Sequence, residues 1–294
     1  MNLAGLGEDK LVAALLRGLP GAHDLLRGPG DDCAVIGRPR EKTWRLLKTD
    51  CVIEGVHFRP DEDPRKVGWK ALARAVSDIA AMAGRPRHAL VTLAISPAAE
   101  LAHAKALYAG LKKCARKYAI AIVGGETARS PGPMFISITL TGEVDSRHCL
   151  LRSGGKPGDR LFVTGHLGGS LAGRHLTFQP RVDEALWLAR HFPIHAMMDL
   201  SDGLGIDLPR LAAASRCGFQ INESALPLTP GCIPSQALSD GEDYELLFAL
   251  APRSATKLKL LWPRKFPKLP LTEIGALTPP GKSATPLHGY DHFA

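Results

Sequence analysis

Arg152-Ser153-Gly154-Gly155-Lys156-Pro157-Gly158-Asp159 is the stretch that divides this chain. Its glycines and proline interrupt any helical or strand period, and a fresh apolar run over residues 160–164 follows at once. Towards the N-terminus the pattern reads as strands over 33–36 and 44–53, then a helix over 64–83. In that helix Val67, Ala71, Leu72, Ala75, Val76, Ile79 and Met82 recur every three or four positions, and Gly84 with Pro86 ends it. A strand (89–95), a helix (98–118), a strand (119–123), a glycine-rich loop (124–133) and a strand (134–143) complete the first half. An amphipathic helix over 6–17 and a Gly/Pro-rich stretch over 18–30 precede all of these. Towards the C-terminus, strands are expected over 160–164, 196–200, 219–222 and 244–250, with a helix over 203–215 and an irregular tail over 278–294. The expectation is an α/β chain of the α+β type in two domains. Residues 1–148 form a mixed sheet with helices on one side, and residues 149–294 form a second α/β domain.

Composition narrows the classes. With 294 residues, 45% of them hydrophobic, the chain can bury sizeable cores. Glu8, Asp9, Lys10 and Arg17 interrupt the start, and no later stretch approaches the roughly 18 apolar residues of a membrane span, so no membrane association is expected. The six cysteines are widely spaced with no C-x-x-C pair, which argues for reduced thiols and a cytoplasmic protein. The formal net charge is +8. The positive runs Lys112-Lys113-Arg116-Lys117 and Lys257-Lys259-Arg264-Lys265-Lys268 have the spacing of solvated helix faces and no interleaved aromatics, so an anionic small substrate is favoured over nucleic acid.

Against that positive background, short acid-bearing segments recur from end to end: Gly30-Asp31-Asp32, Thr49-Asp50, Ser77-Asp78, Gly124-Gly125-Glu126-Thr127, Asp199-Leu200-Ser201-Asp202-Gly203 and Gly241-Glu242-Asp243. Carboxylates beside glycines and small hydroxyls suit hard cations held against phosphate oxygens, since Mg2+ takes oxygen ligands and shares them with a substrate's phosphates. Each segment also has an ordinary reading. Gly-Asp pairs make turns, Ser201 or Asp202 caps a helix, Ser77 bonds back to its helix, and His57 packs beside Phe58. Capping does not account for Asp199, which stands at a strand end three residues before Asp202. Asp78 near a helix C-terminus opposes the macrodipole, so local stability does not explain it either. Phosphate-loop, dinucleotide, zinc-protease and serine-hydrolase signatures are absent.

Taken in order, these segments resemble the thiamine-monophosphate kinase family, within the aminoimidazole-ribonucleotide synthetase-like (PurM-like) superfamily. The resemblance runs from about Gly7 to Phe293. It is carried by Gly30-Asp31-Asp32-Cys33-Ala34-Val35, Thr49-Asp50 through Glu54-Gly55-Val56-His57-Phe58, Ser77-Asp78-Ile79-Ala80-Ala81-Met82, Arg152-Ser153-Gly154, Asp199-Leu200-Ser201-Asp202-Gly203-Leu204, Gly241-Glu242-Asp243-Tyr244-Glu245-Leu246 and Gly289-Tyr290-Asp291-His292-Phe293. It implies a PurM-like fold and phosphoryl transfer from ATP to thiamine monophosphate, giving thiamine diphosphate. It further implies Mg2+ on Asp31, Thr49, Asp50, Asp78, Glu126, Asp199 and Asp202, and ATP against Gly125, Glu126, Arg152 and Ser201. The thiamine phosphate would meet His57, Glu242 and the position of Leu287, and the chain would pair as a homodimer through its N-terminal domains.

No general base is required, because a phosphate monoester with a second pKa near 6 is already an anionic nucleophile at neutral pH. The chain departs from the family pattern in four places. Glu126 stands where aspartate is usual, Leu287 where tryptophan is usual, and Lys48 where a small hydroxyl is common; the segment between Gly173 and Met197 is shorter. The Lys48 ammonium either replaces part of the Mg2+ charge or points to solvent. The alternatives to this kinase are a related PurM-like enzyme acting on another phosphorylated molecule, or a non-catalytic nucleotide-binding protein.

Overall fold

The computed structural model describes residues 7–281; Leu287 and the segment from Gly289 to Phe293 lie outside the described residues. Two sheets organise the chain. The first has six strands in the order β1-β2-β3-β6-β4-β5: β1 Leu25–Arg27, β2 Ala34–Ile36, β3 Thr43–Ile53, β4 Arg85–Ile95, β5 Ala121–Arg129 and β6 Phe135–Asp145. It is mixed, since β4 and β5 run parallel while β3–β6 and β4–β6 are antiparallel. Helix α1 (Glu8–Leu15) precedes it, and α2 (Pro64–Ala81) and α3 (Leu101–Lys117) lie on one of its faces.

Alternation in β3 shows how that face is built. Leu46 and Val52 are fully buried under the helices, and Lys48 and Asp50, of the same parity, share their side; Leu47, Thr49 and Cys51 turn to the opposite side. On β6, Ile136, Ile138 and Leu140 are buried while Ser137, Thr139 and Thr141 alternate with them. The second face therefore carries small polar residues, and Leu47 and Leu90 are exposed there.

The second sheet has five antiparallel strands in the order β8-β10-β7-β11-β9: β7 Arg160–Thr164, β8 Ile194–Asp199, β9 Gly218–Ile221, β10 Leu246–Leu250 and β11 Leu271–Thr278. Helices cover both of its faces. α4 (Val182–His191) and α7 (Pro252–Lys265) pack on Phe162 and Phe248, and α5 (Leu204–Ala214) and α6 (Pro234–Ser239) pack on Leu161, Val163 and Leu247. β10 is buried at every position, as expected of a central strand sandwiched between helices.

Three elements differ from the sequence reading. Residues 124–129, expected as loop, continue β5, which pairs with β4 through Arg129. The two glycines that suggested a loop instead accommodate an irregularity: Ala89 faces Ile122 and Leu90 faces Gly124, which leaves Val123 bulged on an edge strand. A Cβ on Gly125 would lie 1.9 Å from the Val91 carbonyl oxygen, so only glycine permits this pairing. β1 arises inside the Gly/Pro-rich stretch, and β11 occupies residues 271–278, where no strand was expected.

The two halves meet along α2. Asp63 caps this helix by accepting the Arg65 N–H at 2.9 Å, and Pro64 takes the first turn, where its missing N–H costs nothing. Nearly every residue from Val67 to Ala81 is buried. On the far side, Leu176, Phe178, Val182 and Tyr244 from the second half join the core around α2.

Candidate active site at the joint between the sheets

Polar residues on α2 recur at four-residue spacing, Lys70, Arg74 and Asp78, with Ser77 beside the last. That spacing puts them on one face of an otherwise apolar helix, and each is engaged by a residue distant in sequence. Lys70 is fully buried; its ammonium donates to Glu242 at 2.6 Å and to the carbonyl of His57. Arg74 ion-pairs with Asp50 at 3.2 Å and donates to the Cys51 carbonyl at 3.1 Å. Asp78 accepts from Lys48 at 2.7 Å, and Ser77 donates to Asp199 at 2.5 Å. Buried charges are tolerated only when paired; Arg74–Asp50 and Lys48–Asp78 pair within the first half, while Lys70–Glu242 and the Ser77–Asp199 hydrogen bond cross to the second.

At the Asp78 end three carboxylates converge. Asp32, Asp78 and Asp199 each offer an oxygen, and these atoms lie within 4.8 Å of one another. Arg152 closes one side through two donations to Asp32 Oδ1, at 3.0 and 2.5 Å, while its backbone N–H reaches Asp31 Oδ1 at 2.8 Å. Asp32 Oδ2 is buried without a hydrogen-bond partner among the described residues. Burial pushes the Asp31 carboxyl up to about 6. The Asp199 carboxyl is raised to about 7, first by burial and then by the nearby Asp32 charge, with the Ser77 hydroxyl opposing. Asp78 is raised well above the usual range by burial, against the pull of Lys48. An all-oxygen cluster with an orphaned buried carboxylate oxygen fits a hard divalent cation such as Mg2+.

At the Lys70 end a cavity of about 290 Å3 opens, lined among others by His57, Phe58, His175, Ser201, Glu242 and Tyr244. The His57 Nδ1 accepts the Ile53 N–H at 3.1 Å, which places the proton of the neutral ring on Nε2. Glu242 and Tyr244 hold left-handed backbone with φ of 53° and 51°, an unfavourable state for residues with a Cβ. Two hydrogen bonds keep them there: Glu242 N–H to the Ser201 carbonyl (2.7 Å) and Tyr244 N–H to the Leu200 carbonyl (2.8 Å). The Tyr244 ring stacks on Phe178 at 3.9 Å between centroids. Arg74 and Asp202 also line this cavity, so the Arg74–Asp50 pair joins it to the carboxylate end.

The expected site residues thus fall into distinct places. Asp78 and Asp199 sit in the cluster, Asp31 and Arg152 border it, and Asp50 is near it by its charge on Lys48 and Asp78 while Arg74 ties it to the cavity. His57, Ser201, Asp202 and Glu242 line the cavity. Asp202 pairs with Arg210, and its N–H donates to the buried Asp207 at 2.9 Å. Thr49 and Glu126 are directed to the helix-free face of the first sheet, Glu126 opposite Thr92 on the edge strand, and Gly125 lies beside it. Leu287 lies outside the described residues. Sequence reasoning passed over Asp32 as a cluster member, and over Lys70 and Arg74. The α2 charges carried a usable signal, because cations every four residues on an apolar helix need buried partners.

Two family models cover most of the chain: AIR synthase related protein, N-terminal domain, over residues 30–144, and its C-terminal domain over residues 160–284. A thiamine-monophosphate kinase of Rhodopirellula baltica is 40% identical over 266 residues, spanning 84% of this chain and 82% of that one. One from Escherichia coli K12 is 33% identical and spans 98% of both. A solved structure, AaThiL complexed with AMPPCP and TMP, superposes with a TM-score of 0.84 at 31% identity, covering 99% of each chain. With the PurM-like fold, the joint-site geometry and these relatives in agreement, the chain belongs to the thiamine-monophosphate kinase family.

Proposed function

We propose that this protein transfers the γ-phosphoryl group of ATP directly and in line to the phosphate of thiamine monophosphate, with Mg2+ in attendance. The observation that carries this reading is the adjacency, along one helix, of an oxygen-only carboxylate cluster and a cavity lined by His57, Ser201 and Glu242. A bound divalent ion would neutralise charge on the transferring phosphoryl group. Asp32 and Asp199 are the residues placed to hold it, with Asp78, Asp31 and Asp50 alongside. The chain's own groups do the rest. Arg152 brings a guanidinium to the cluster's edge, His57 presents an Nε2–H donor, and Lys70 anchors Glu242 for contact with the acceptor. Phe58 and the Tyr244–Phe178 stack supply aromatic surface near the cavity for a cationic thiazolium, worth about 0.5 to 2 kcal/mol.

The same reading includes a homodimer. Its support is the helix-free face of the first sheet, where Leu47 and Leu90 are exposed, together with the nine-residue edge strand β5, exposed along almost its whole length. Pairing there would set Thr49, Gly125 and Glu126 at the interface, consistent with roles in nucleotide and metal binding. The domain division at 148/149 is part of this reading, and the break between the two matched family regions supports it. All six cysteines are free, and among the described residues no helix is long and apolar enough to cross a membrane, which accords with a cytoplasmic setting.

The test is formation of thiamine diphosphate from thiamine monophosphate and ATP, with EDTA and Asp202→Asn as controls. Product that requires a divalent ion is expected. ATP binding with no product would redirect the assignment to another phosphorylated acceptor or to a nucleotide-binding role.

A further inference from the structure

The carboxylate cluster already contains a cation of the chain's own making. Alternation in β3 turns Lys48 towards α2, and its ammonium lies 2.7 Å from Asp78 Oδ1 with the side chain three-quarters buried. Each cluster carboxylate has one oxygen committed to a protein donor: Asp32 to Arg152, Asp199 to Ser77 and Asp78 to Lys48. Lys48 differs from the other two donors. A lysine ammonium is a compact point charge that can stand where a small cation would, whereas the Arg152 guanidinium is broad and planar and Ser77 is neutral. Asp50 adds a further negative charge near the same ammonium. Asp32 Oδ2, buried and without a hydrogen-bond partner among the described residues, shows that the cluster retains ligand capacity elsewhere.

We propose that Lys48 is a resident cation, its ammonium occupying a position on Asp78 that would otherwise accept a divalent ion, so that this chain binds one fewer divalent ion per active site than an otherwise identical chain without that ammonium. A hard ion bonds a carboxylate oxygen at about 2.1 Å, and an ammonium hydrogen-bonded to the same oxygen would meet it at repulsive range. The covalently tethered charge therefore excludes the mobile one at Asp78 and leaves Asp32 and Asp199 for it. This inference rests on the proposed metal-dependent reading of the site.

The test counts Mn2+ bound per chain, by calorimetry and by electron paramagnetic resonance, with a non-hydrolysable ATP analogue and thiamine monophosphate present. Lys48→Ser should bind one more Mn2+ than the wild type, and Lys48→Arg should keep the wild-type number; equal numbers in wild type and Lys48→Ser would overturn the inference. A wild-type chain that binds no Mn2+ would remove the metal reading together with it, whereas wild-type binding with unchanged counts would remove this inference alone. Reductive methylation of the wild type, mapped by mass spectrometry, decides independently of whether the serine variant folds. Lys48 should stay protected when Mn2+ is added, and metal-induced labelling at Lys48 would show displacement and refute the proposal.

Discussion

The two faces of the six-stranded sheet are made from the same strands and do opposite things. Beneath α2 and α3, β3 places Leu46, Lys48, Asp50 and Val52 in a dense layer where every charge meets a partner. On the other face the same strand places Leu47, Thr49 and Cys51 with no helix over them, and Glu126 stands on the exposed edge strand. The difference teaches that period-two alternation sorts the side chains of a single strand between two environments: one residue step moves a side chain from the cluster to the proposed interface. The second sheet, covered on both faces, has no equivalent surface to offer.

The largest effect should come from the carboxylate cluster and from Asp50 on the covered face beside it. Asp199→Asn and Asp50→Asn should each reduce kcat by roughly 100- to 1,000-fold, since a metal-held charge contributes several kcal/mol to the transition state and each 1.36 kcal/mol is tenfold. Steady-state kinetics at saturating Mg2+ checks this, and near-normal turnover in both variants would remove them from the site. Next is Lys70→Met, which leaves Glu242 without its buried partner. A stability loss of about 3 kcal/mol is expected from denaturant titration, with a raised KM for thiamine monophosphate. The double variant Lys70→Met with Glu242→Gln should recover stability and not KM, because stability depends on pairing while recognition depends on the carboxylate itself.

On the open face, the proposed dimer should appear as a dimer in analytical ultracentrifugation and Leu90→Asp should convert it to monomer while far-UV circular dichroism stays unchanged. An unaltered dimer would relocate the interface. The smallest effect concerns pH. Asp31 at about 6 and Asp199 at about 7 lie above the 3.8 of an unfolded aspartate, so between pH 3.8 and about 7 the native state holds more protons than the unfolded state. Without divalent ions, their contribution to stability is therefore present below pH 3.8 and is lost as pH rises through about 7. Divalent ions bind the deprotonated form, so the Tm difference between Mg2+ and EDTA samples should widen from pH 5 to pH 8.

Much of this was legible in the order of residues. The strand over 44–53, the 64–83 helix and the spaced acidic segments all rest on local rules of periodicity and turn chemistry, which neighbouring residues alone enforce. The glycine pair at 124–125 misled because a bulged edge strand and a loop use the same residues. Only the backbone of Val91 across the ladder tells them apart. β11 was unreadable for a related reason: it is held by β7 and β9, far away in the chain, and its own alternation is weak.

Sequence by itself determined the inventory, namely which carboxylates, glycines and cations exist and at what local period. Tertiary structure decided the assignments: Asp32 joins Asp78 and Asp199, Lys70 takes Glu242, and Lys48 points inward rather than to solvent. The reason is that a charge's role depends on what desolvates it and what pairs with it. Both come from segments that are distant in sequence and meet only when the chain folds around α2.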